Sequence, residues 1–216
     1  MKTDRQLRDE VVEELDFGPL IDSAKIGVEV TDRVVTLSGH PSSYAEKVAA
    51  EKAAQRVSGV KAVVVNMHVR LPNDDVHTDD ETANAVRSML GWMVRLGEDA
   101  VKVQVENGWV TLSGEVATPR QSYLAERAIT QMRSVTGVTN LIEATGPQAG
   151  GHVAESIGRA LQRHAQRAGK HIQIKVRDGT VTLSGKVASY AERSLARGAA
   201  WSAPGVHAVI DDLEVE

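Results

Sequence analysis

The phrase Val-Thr-Leu-Ser-Gly occurs three times in the chain, and this repetition constrains the fold more than any other sequence feature. The occurrences lie 75 and then 71 residues apart, at 35–39, 110–114 and 181–185. Such intervals match a small domain and exceed the roughly 20–50 residues of a solenoid repeat. We therefore expect three versions of one domain, which we name copy 1, copy 2 and copy 3. They are assigned to residues 1–71, 77–145 and 151–216.

The beginning of copy 1 predicts a capped amphipathic helix. Thr3 and Gln6 have the spacing of a capping box, in which each side chain accepts a hydrogen bond from the backbone of the other residue. Leu7, Val11 and Leu15 follow four residues apart, so they lie on one helical face. An equivalent apolar face recurs in copies 2 and 3, which predicts the same helix three times.

Alternating apolar and polar residues after this helix predict a β-hairpin, with the repeated phrase as its second strand. A capped, alanine-rich stretch at 43–57 then predicts a second helix, and residues 60–69 a third strand. Because a helix connects the second strand to the third, these two strands should be parallel. The predicted fold class is α+β. Each of the three αββαβ domains packs two helices on one face of a three-stranded mixed sheet.

Glycines recur at two places in this pattern. One ends the second strand, and the other is expected to end the second helix in a left-handed conformation. These structural glycines are, in pairs, Gly39 and Gly59, Gly114 and Gly137, and Gly185 and Gly205. The interval within a pair is 20 residues in copies 1 and 3 but 23 in copy 2, which predicts a second helix about one turn longer in copy 2.

These motifs resemble the BON domain, a domain of bacterial osmotic-stress and nodulation proteins. The resemblance is carried by Val-Thr-Leu-Ser-Gly, the capped alanine-rich helix, a following Gly-Val pair and a strand such as 209–215. It covers nearly all of the chain and is closest to the osmotically inducible BON-repeat proteins. It implies no catalytic residues. It implies association with phospholipid surfaces or, in some relatives, binding of small ligands or ions.

The rest of the sequence also favours a non-catalytic protein. None of the seven histidines forms an i, i+4 pair and there is no cysteine, so we expect no metal site and no cofactor. The Ser and Thr of the repeated phrase alternate with Val and Leu, which indicates the polar face of a sheet rather than a nucleophile. The net charge of −4 disfavours a general nucleic-acid binder.

The location of the protein is expected to be cytoplasmic. Charged residues are interspersed through the first 15 positions, where a secretory signal needs an unbroken apolar stretch. No run of about 18 apolar residues occurs, so no transmembrane segment is expected. A periplasmic location is the expectation if the chain is a processed form.

Copy 2 carries a second apolar stripe on its first helix, beside the expected core stripe. The side chains at its centre are Met89, Trp92 and Leu96. Together the two stripes cover about half of the helix, which is more than packing on one sheet requires. Three interpretations remain open: additional domain core, contact with another copy or another chain (a protein partner or self-association), and membrane insertion.

Copy 3 carries a basic stripe on its first helix, where Arg163 occupies the position of Phe17 and Trp92. The stripe consists of Arg159, Arg163, Arg167 and Lys170. It is either a solvated face or a site for anions such as phospholipid headgroups. The function predicted from the sequence is a non-catalytic binding or scaffold protein of the stress response that approaches anionic phospholipid surfaces through copy 3. The alternatives are a small-ligand or ion-binding protein that uses clefts between domains, and a structural protein–protein interaction module.

Overall fold

Each copy forms its own three-stranded sheet in the computed structural model of the chain. The structure describes residues 2–94, 100–145, 172–177, 180–201, 206 and 208–215. In every sheet the first strand pairs antiparallel with the second, and the second pairs parallel with the third. The third strand therefore lies at the edge of the sheet. The α+β class and the tandem αββαβ organisation predicted from the sequence are confirmed.

The described elements follow the repeat. The helices are α1 (Asp4–Asp16), α2 (Tyr44–Arg56), α3 (Asp79–Met89), α4 (Pro119–Thr130) and α5 (Tyr190–Trp201). The strands are β1 (Ile26–Thr31), β2 (Val34–Gly39), β3 (Ala62–Met67), β4 (Val101–Glu106), β5 (Trp109–Val116), β6 (Gly137–Ala144), β7 (Ile172–Arg177), β8 (Thr180–Val187) and β9 (Ala208–Val215). The stretch predicted to be the first helix of copy 3 lies outside the described residues.

The core of each copy lies between its helices and one face of its sheet. In copy 1 the predicted stripe Leu7, Val11 and Leu15 is buried, and it packs in one cluster with Val35 and Leu37 of β2. The small buried residues of α2 are Ala50, Ala53 and Ala54. Small side chains allow this helix to lie close to the sheet, so a core almost without aromatic residues still packs.

The second helix of copy 2 is not longer than its equivalents, and this corrects the sequence prediction. Helix α4 has 12 residues, against 13 in α2 and 12 in α5. Val35 pairs with Val63 in copy 1, and Val110 pairs with Val138 in copy 2. Both residues of the second pair lie 75 residues after their equivalents, so the strand registers of the two copies agree. Copy 2 therefore contains no insertion.

Gly137 does not end a helix. It opens β6, opposite Trp109 of β5, and a methyl group added to it would lie 2.3 Å from Cε3 of the Trp109 ring. The residue equivalent to Gly59 is Ser134. The triplets Ser58-Gly59-Val60 and Thr136-Gly137-Val138 are similar in sequence but lie at different positions of the repeat. Gly59 itself has a φ of +98°, as expected of a left-handed helix end. Gly205 lies outside the described residues.

An aspartate at the start of the first helix holds the hairpin turn, a role that the sequence analysis did not assign. Asp79 accepts hydrogen bonds from the backbone N–H groups of Asn107 and Gly108, both at 2.9 Å. Asp4 does the same in copy 1 for Asp32 and Arg33. The signal in the sequence is the repeated Thr-Asp pair at 3–4 and 78–79, which copy 3 lacks because it has Ala149 and Gly150 there.

Substituting Asp79 by alanine is expected to destabilise copy 2 by about 2 kcal/mol, because two charge-assisted hydrogen bonds are lost and the turn N–H groups gain only water. Urea unfolding followed by tryptophan fluorescence measures this loss. Asp80→Ala is the matched control, since Asp80 is exposed in the same first helical turn. An equal effect of the two substitutions would show that helix-dipole stabilisation, rather than the turn contact, is what Asp79 provides.

Candidate interaction surfaces

The most exposed aromatic side chains lie at equivalent positions in copies 1 and 2, at the ends of the first helices. Phe17 is 81% exposed and Trp92 is 88% exposed. Helix α3 continues into a π-helical stretch, Leu90–Val94, which displays Trp92 to solvent. A side chain this exposed does not belong to the core of copy 2. These two aromatics are therefore available to an external surface.

The residues around Trp92, on α3 and its π-helical continuation, differ in burial. Val86 and Leu90 are buried in the core of copy 2, as the sequence predicts. Met89 is half-buried beside them. Leu96, the third residue of the predicted stripe, lies outside the described residues. So does the entire basic stripe of copy 3, namely Arg159, Arg163, Arg167 and Lys170.

Tyrosines at the start of two second helices connect the copies, and the sequence analysis did not assign them this role. Tyr44, the first residue of α2, packs against the apolar core of copy 2. There it meets the backbone of Val138 in β6 and the carboxylate of Glu126 in α4. Tyr190, the first residue of α5, donates a hydrogen bond to the carbonyl oxygen of Lys61 in copy 1. Copy 1 therefore contacts both of the other copies.

Burial raises the pKa of Tyr44 above its usual value of 10.0, and the nearby carboxylate of Glu126 adds to this, whereas the contact with the Val138 backbone acts in the opposite direction. The folded state thus favours the neutral phenol. Its contribution to stability is complete below pH 10.0 and is lost as the pH rises through the raised pKa.

We expect the contact between copies 1 and 2 to weaken only above pH 10.0, when Tyr44 ionises. The difference between the phenolate absorbance titrations of the wild type and Tyr44→Phe isolates the transition of this residue. A midpoint at or below 10.0 would contradict burial of Tyr44 against copy 2.

The carboxylate of Glu46, at the start of α2, is buried and accepts three hydrogen bonds. Glu46 is 3% exposed, and its Oε1 accepts the backbone N–H of Asp22 at 2.9 Å. Its Oε2 accepts both the backbone N–H and the hydroxyl of Ser42, each at 2.7 Å. Ser43 and Glu46 have the spacing of a capping box, but only half of it is present. Ser43 caps the backbone of Glu46, while the carboxylate reaches beyond the cap to join α2 to the loop before β1.

A cavity of about 430 Å³ lies on copy 1 where the second strand ends and the linker to copy 2 begins. Its lining is Lys25, His40, Ser42, Arg70, Leu71 and Pro72. Lys25 is paired with Asp22 at 2.8 Å, which raises the pKa of Lys25 through the hydrogen bond and charge of that carboxylate. The basic side chains at this cavity suit a small anion.

Two further observations concern the described residues. Within the described ranges, no three or more His, Asp or Glu side chains are grouped so that they could hold a metal ion. Among the same residues, no helix combines the length and the apolar character needed to cross a membrane.

The fold defines a class of protein, a tandem array of small α+β modules. A family model for the BON domain matches residues 3–70, 78–146 and 151–216. The chain therefore belongs to the BON domain family, and the resemblance noted in the sequence is confirmed. Each match covers one of the three repeated domains.

A curated relative agrees with this assignment. Osmotically-inducible protein Y of Escherichia coli (strain K12) is 33% identical over 129 residues, which are 56% of this chain and 62% of the relative. The match thus spans less than two thirds of that relative's length. Together with the family, it supports a protein related to the stress response.

Solved structures add little. CdsD, a structural protein of the type III secretion system of Chlamydia trachomatis, is 15% identical, with 95% of this chain and 90% of that chain covered at a TM-score of 0.26. The PrgH periplasmic domain is 13% identical, with 89% and 95% covered at a TM-score of 0.23. At such TM-scores the likeness says nothing about how the copies are arranged.

Proposed function

We propose that the protein is a non-catalytic, membrane-associating BON protein of the stress response that binds anionic phospholipid surfaces. The observation that carries the proposal is the repeated exposure of a large aromatic side chain at the end of the first helix, Phe17 in copy 1 and Trp92 in copy 2. Aromatic side chains on helices gain free energy when they enter the interface of a bilayer.

The copies differ in net charge, so an anionic membrane surface attracts one of them more than the others. Residues 73–149 hold 6 basic and 11 acidic residues, whereas residues 150–216 hold 9 basic and 7 acidic residues. Copy 3 is therefore the copy that anionic headgroups attract, and Arg163 stands where the other copies have an aromatic residue. Each cation near an anionic surface contributes about 1 kcal/mol. The proposal is that copy 3 supplies the electrostatic attraction and that copies 1 and 2 supply the apolar contact.

Cosedimentation with vesicles tests this function. Vesicles of phosphatidylcholine alone and with added phosphatidylglycerol are compared at low and high salt. We expect binding to the anionic vesicles that weakens with salt, because screening shortens the range of the attraction. Trp92→Ala and Arg163→Glu should each reduce it. Leu141→Ala is the matched control, since Leu141 is also an exposed apolar residue of copy 2 but lies on the sheet.

Two results would remove support from the proposal. Equal binding to neutral and anionic vesicles would exclude the role of the basic stripe. An effect of Leu141→Ala as large as that of Trp92→Ala would exclude a specific role of the helix end.

A second candidate function, binding of a small anion, is favoured by the cavity on copy 1. Of its basic residues, His40 directly follows β2 and Arg70 lies at the end of copy 1, so a ligand there would tie β2 to the linker. Thermal unfolding with inorganic phosphate, or with other small anions, tests it. A ligand at 100 times its dissociation constant stabilises by about 2.7 kcal/mol. An unchanged melting temperature, or one that Arg70→Ala leaves equally raised, would exclude this site.

A further inference from the structure

Two exposed histidines of copy 1 lie side by side where the second and third strands of its sheet end. His40 directly follows β2, and His68 directly follows β3. The backbone N–H of His68 donates to the carbonyl oxygen of Gly39 at 3.0 Å, so the pairing of the two parallel strands continues to this point. The centroids of the two imidazole rings are 6.4 Å apart. Strand pairing thus brings together two side chains of the type that most often binds metal ions in proteins.

A hydrogen bond determines which nitrogen of the His40 ring carries the proton. Nδ1 of His40 lies 3.3 Å from the carbonyl oxygen of His68. A carbonyl oxygen can only accept, so Nδ1 is the donor, and in the neutral ring the lone pair is on Nε2. Histidines that bind metals are commonly held in this way, with the second ring nitrogen donating to a carbonyl or carboxylate oxygen. His40 is therefore oriented as a ligand that binds through Nε2.

The equivalent positions carry different residues in the other two copies. They are Glu115 and Glu143 in copy 2, and Lys186 and Glu214 in copy 3, and each pair is in register across the parallel strands. Copy 3 thus places opposite charges beside each other, which stabilises a sheet without a ligand. The two carboxylates of copy 2 suit harder cations such as Mg²⁺ or Ca²⁺. Of these three equivalent pairs, only the pair in copy 1 offers two imidazole nitrogens.

The charged groups near the two histidines permit a cation there. The carbonyl oxygen of Lys25 accepts the backbone N–H of His40, and the ammonium group of Lys25 is ion-paired with Asp22 at 2.8 Å, so its charge is balanced. Arg70 lines the same cavity as His40 and is exposed. Water reduces the repulsion between such an exposed guanidinium and a bound ion.

We propose that His40 and His68 bind a divalent ion of the late transition metals, the class of Zn²⁺, Ni²⁺ and Cu²⁺ that imidazole suits. Both rings are exposed, so rotation of the side chains can bring a nitrogen of each to the roughly 2.0–2.1 Å of a zinc–nitrogen bond. Water completes the coordination, since no third His, Asp or Glu is grouped with the pair in the described ranges.

This inference goes beyond the membrane and anion functions and depends on neither. It also differs from the expectation of the sequence analysis, which considered histidines four residues apart on a helix. His40 and His68 are 28 residues apart, the same interval as between the paired strand residues Val35 and Val63. Only the register of the two strands makes them neighbours.

Calorimetric titration of the full chain with Zn²⁺ tests the site. The chain has seven histidines, so substitutions are needed to locate the binding. His40→Ala and His68→Ala should each weaken Zn²⁺ binding by about tenfold or more, since even the loss of an outer hydrogen-bond partner costs about 10–100-fold in metal affinity. Both residues are exposed, so the variants should fold. His77→Ala is the matched control, because His77 is exposed as well, and it should bind like the wild type.

Hydrogen exchange measured by peptide gives a second test that needs no variant. Bound Zn²⁺ joins the ends of β2 and β3, so peptides that contain His40 or His68 should exchange more slowly with Zn²⁺ than without it. The equivalent peptides of copy 2, which contain Glu115 and Glu143, should not change. Equal protection of the two copies would contradict the proposal.

Three calorimetric results would overturn the proposal. They are absence of Zn²⁺ binding by the wild type, binding that neither His40→Ala nor His68→Ala weakens, and an equal loss in His77→Ala. Arg70→Ala separates this site from the anion site on the same cavity. It removes a cation, so it should weaken the binding of phosphate and leave the binding of Zn²⁺ at least as strong.

Discussion

Replacing Gly114 by alanine is expected to destabilise copy 2 by about 3 kcal/mol, because the backbone there suits only glycine. Its φ is +133°, and an added Cβ would lie 2.3 Å from the carbonyl oxygen of Ala100. That oxygen cannot move away freely, since it accepts the backbone N–H of Glu115 at 3.1 Å. A domain of about 70 residues has a total stability of only roughly 4–10 kcal/mol, so the substitution removes a large part of it.

Hydrogen exchange measured by peptide distinguishes this local loss from a general one, since each copy unfolds with its own free energy. Peptides of copy 2 should exchange faster, while those of copy 1 change little. Gly198→Ala is the matched control. Gly198 lies within α5, and an added Cβ would meet nothing within 4 Å. This control should stabilise its helix by about 1 kcal/mol. If both glycine substitutions proved neutral, the strand-end geometry would not be what the repeated phrase encodes.

Removing the carboxylate of Glu46 is the second large effect we expect, a loss of about 3 kcal/mol from copy 1 in Glu46→Ala. Three hydrogen bonds from Asp22 and Ser42 disappear, and two backbone N–H groups and one hydroxyl lose their acceptor at a partly buried site. The loop before β1 then loses its attachment to α2. Faster exchange in peptides that contain Asp22 is the specific sign of this detachment.

Glu51→Ala is the control for this prediction. Glu51 lies in the same helix and is only half-buried, and its side chain accepts a bond from Gln55 within that helix. Its loss should cost well under 1 kcal/mol, within the range of exposed helix pairs. Equal effects of the two substitutions would show that helix propensity, and not the buried carboxylate, determines the stability of α2.

The fold followed from the sequence because its determinants are local and repeated. Leu7, Val11 and Leu15 form a helical stripe whether or not the rest of the chain is known, and they are buried as predicted. A single position in a pattern is weaker evidence. Gly137 matched the helix-ending Gly-Val pair in letters, yet the register of Val110 with Val138 places it in a strand. Pairing partners are set by the whole sheet, so a three-residue match is not enough to identify them.

The surface residues were also only partly predictable from the sequence. The sequence identified Trp92 as unusual because its stripe is wider than one sheet needs, but its exposure depends on everything that packs around it. Roles such as those of Asp79 and Glu46 were missed because each links segments distant in sequence, 28 or 29 residues apart for Asp79 and 24 for the bond from Asp22.

The sequence by itself determined the module, its number and its order of elements, since periodicity and turn chemistry act within a few residues along the chain. Only the tertiary structure decided which module touches which. Tyr44 and Tyr190 begin equivalent helices in the sequence. Tyr44 meets copy 2 and Tyr190 meets copy 1, and this difference depends on the placement of whole domains. Contacts between domains join residues far apart in the chain, as Lys61 and Tyr190 are, and no local pattern encodes them.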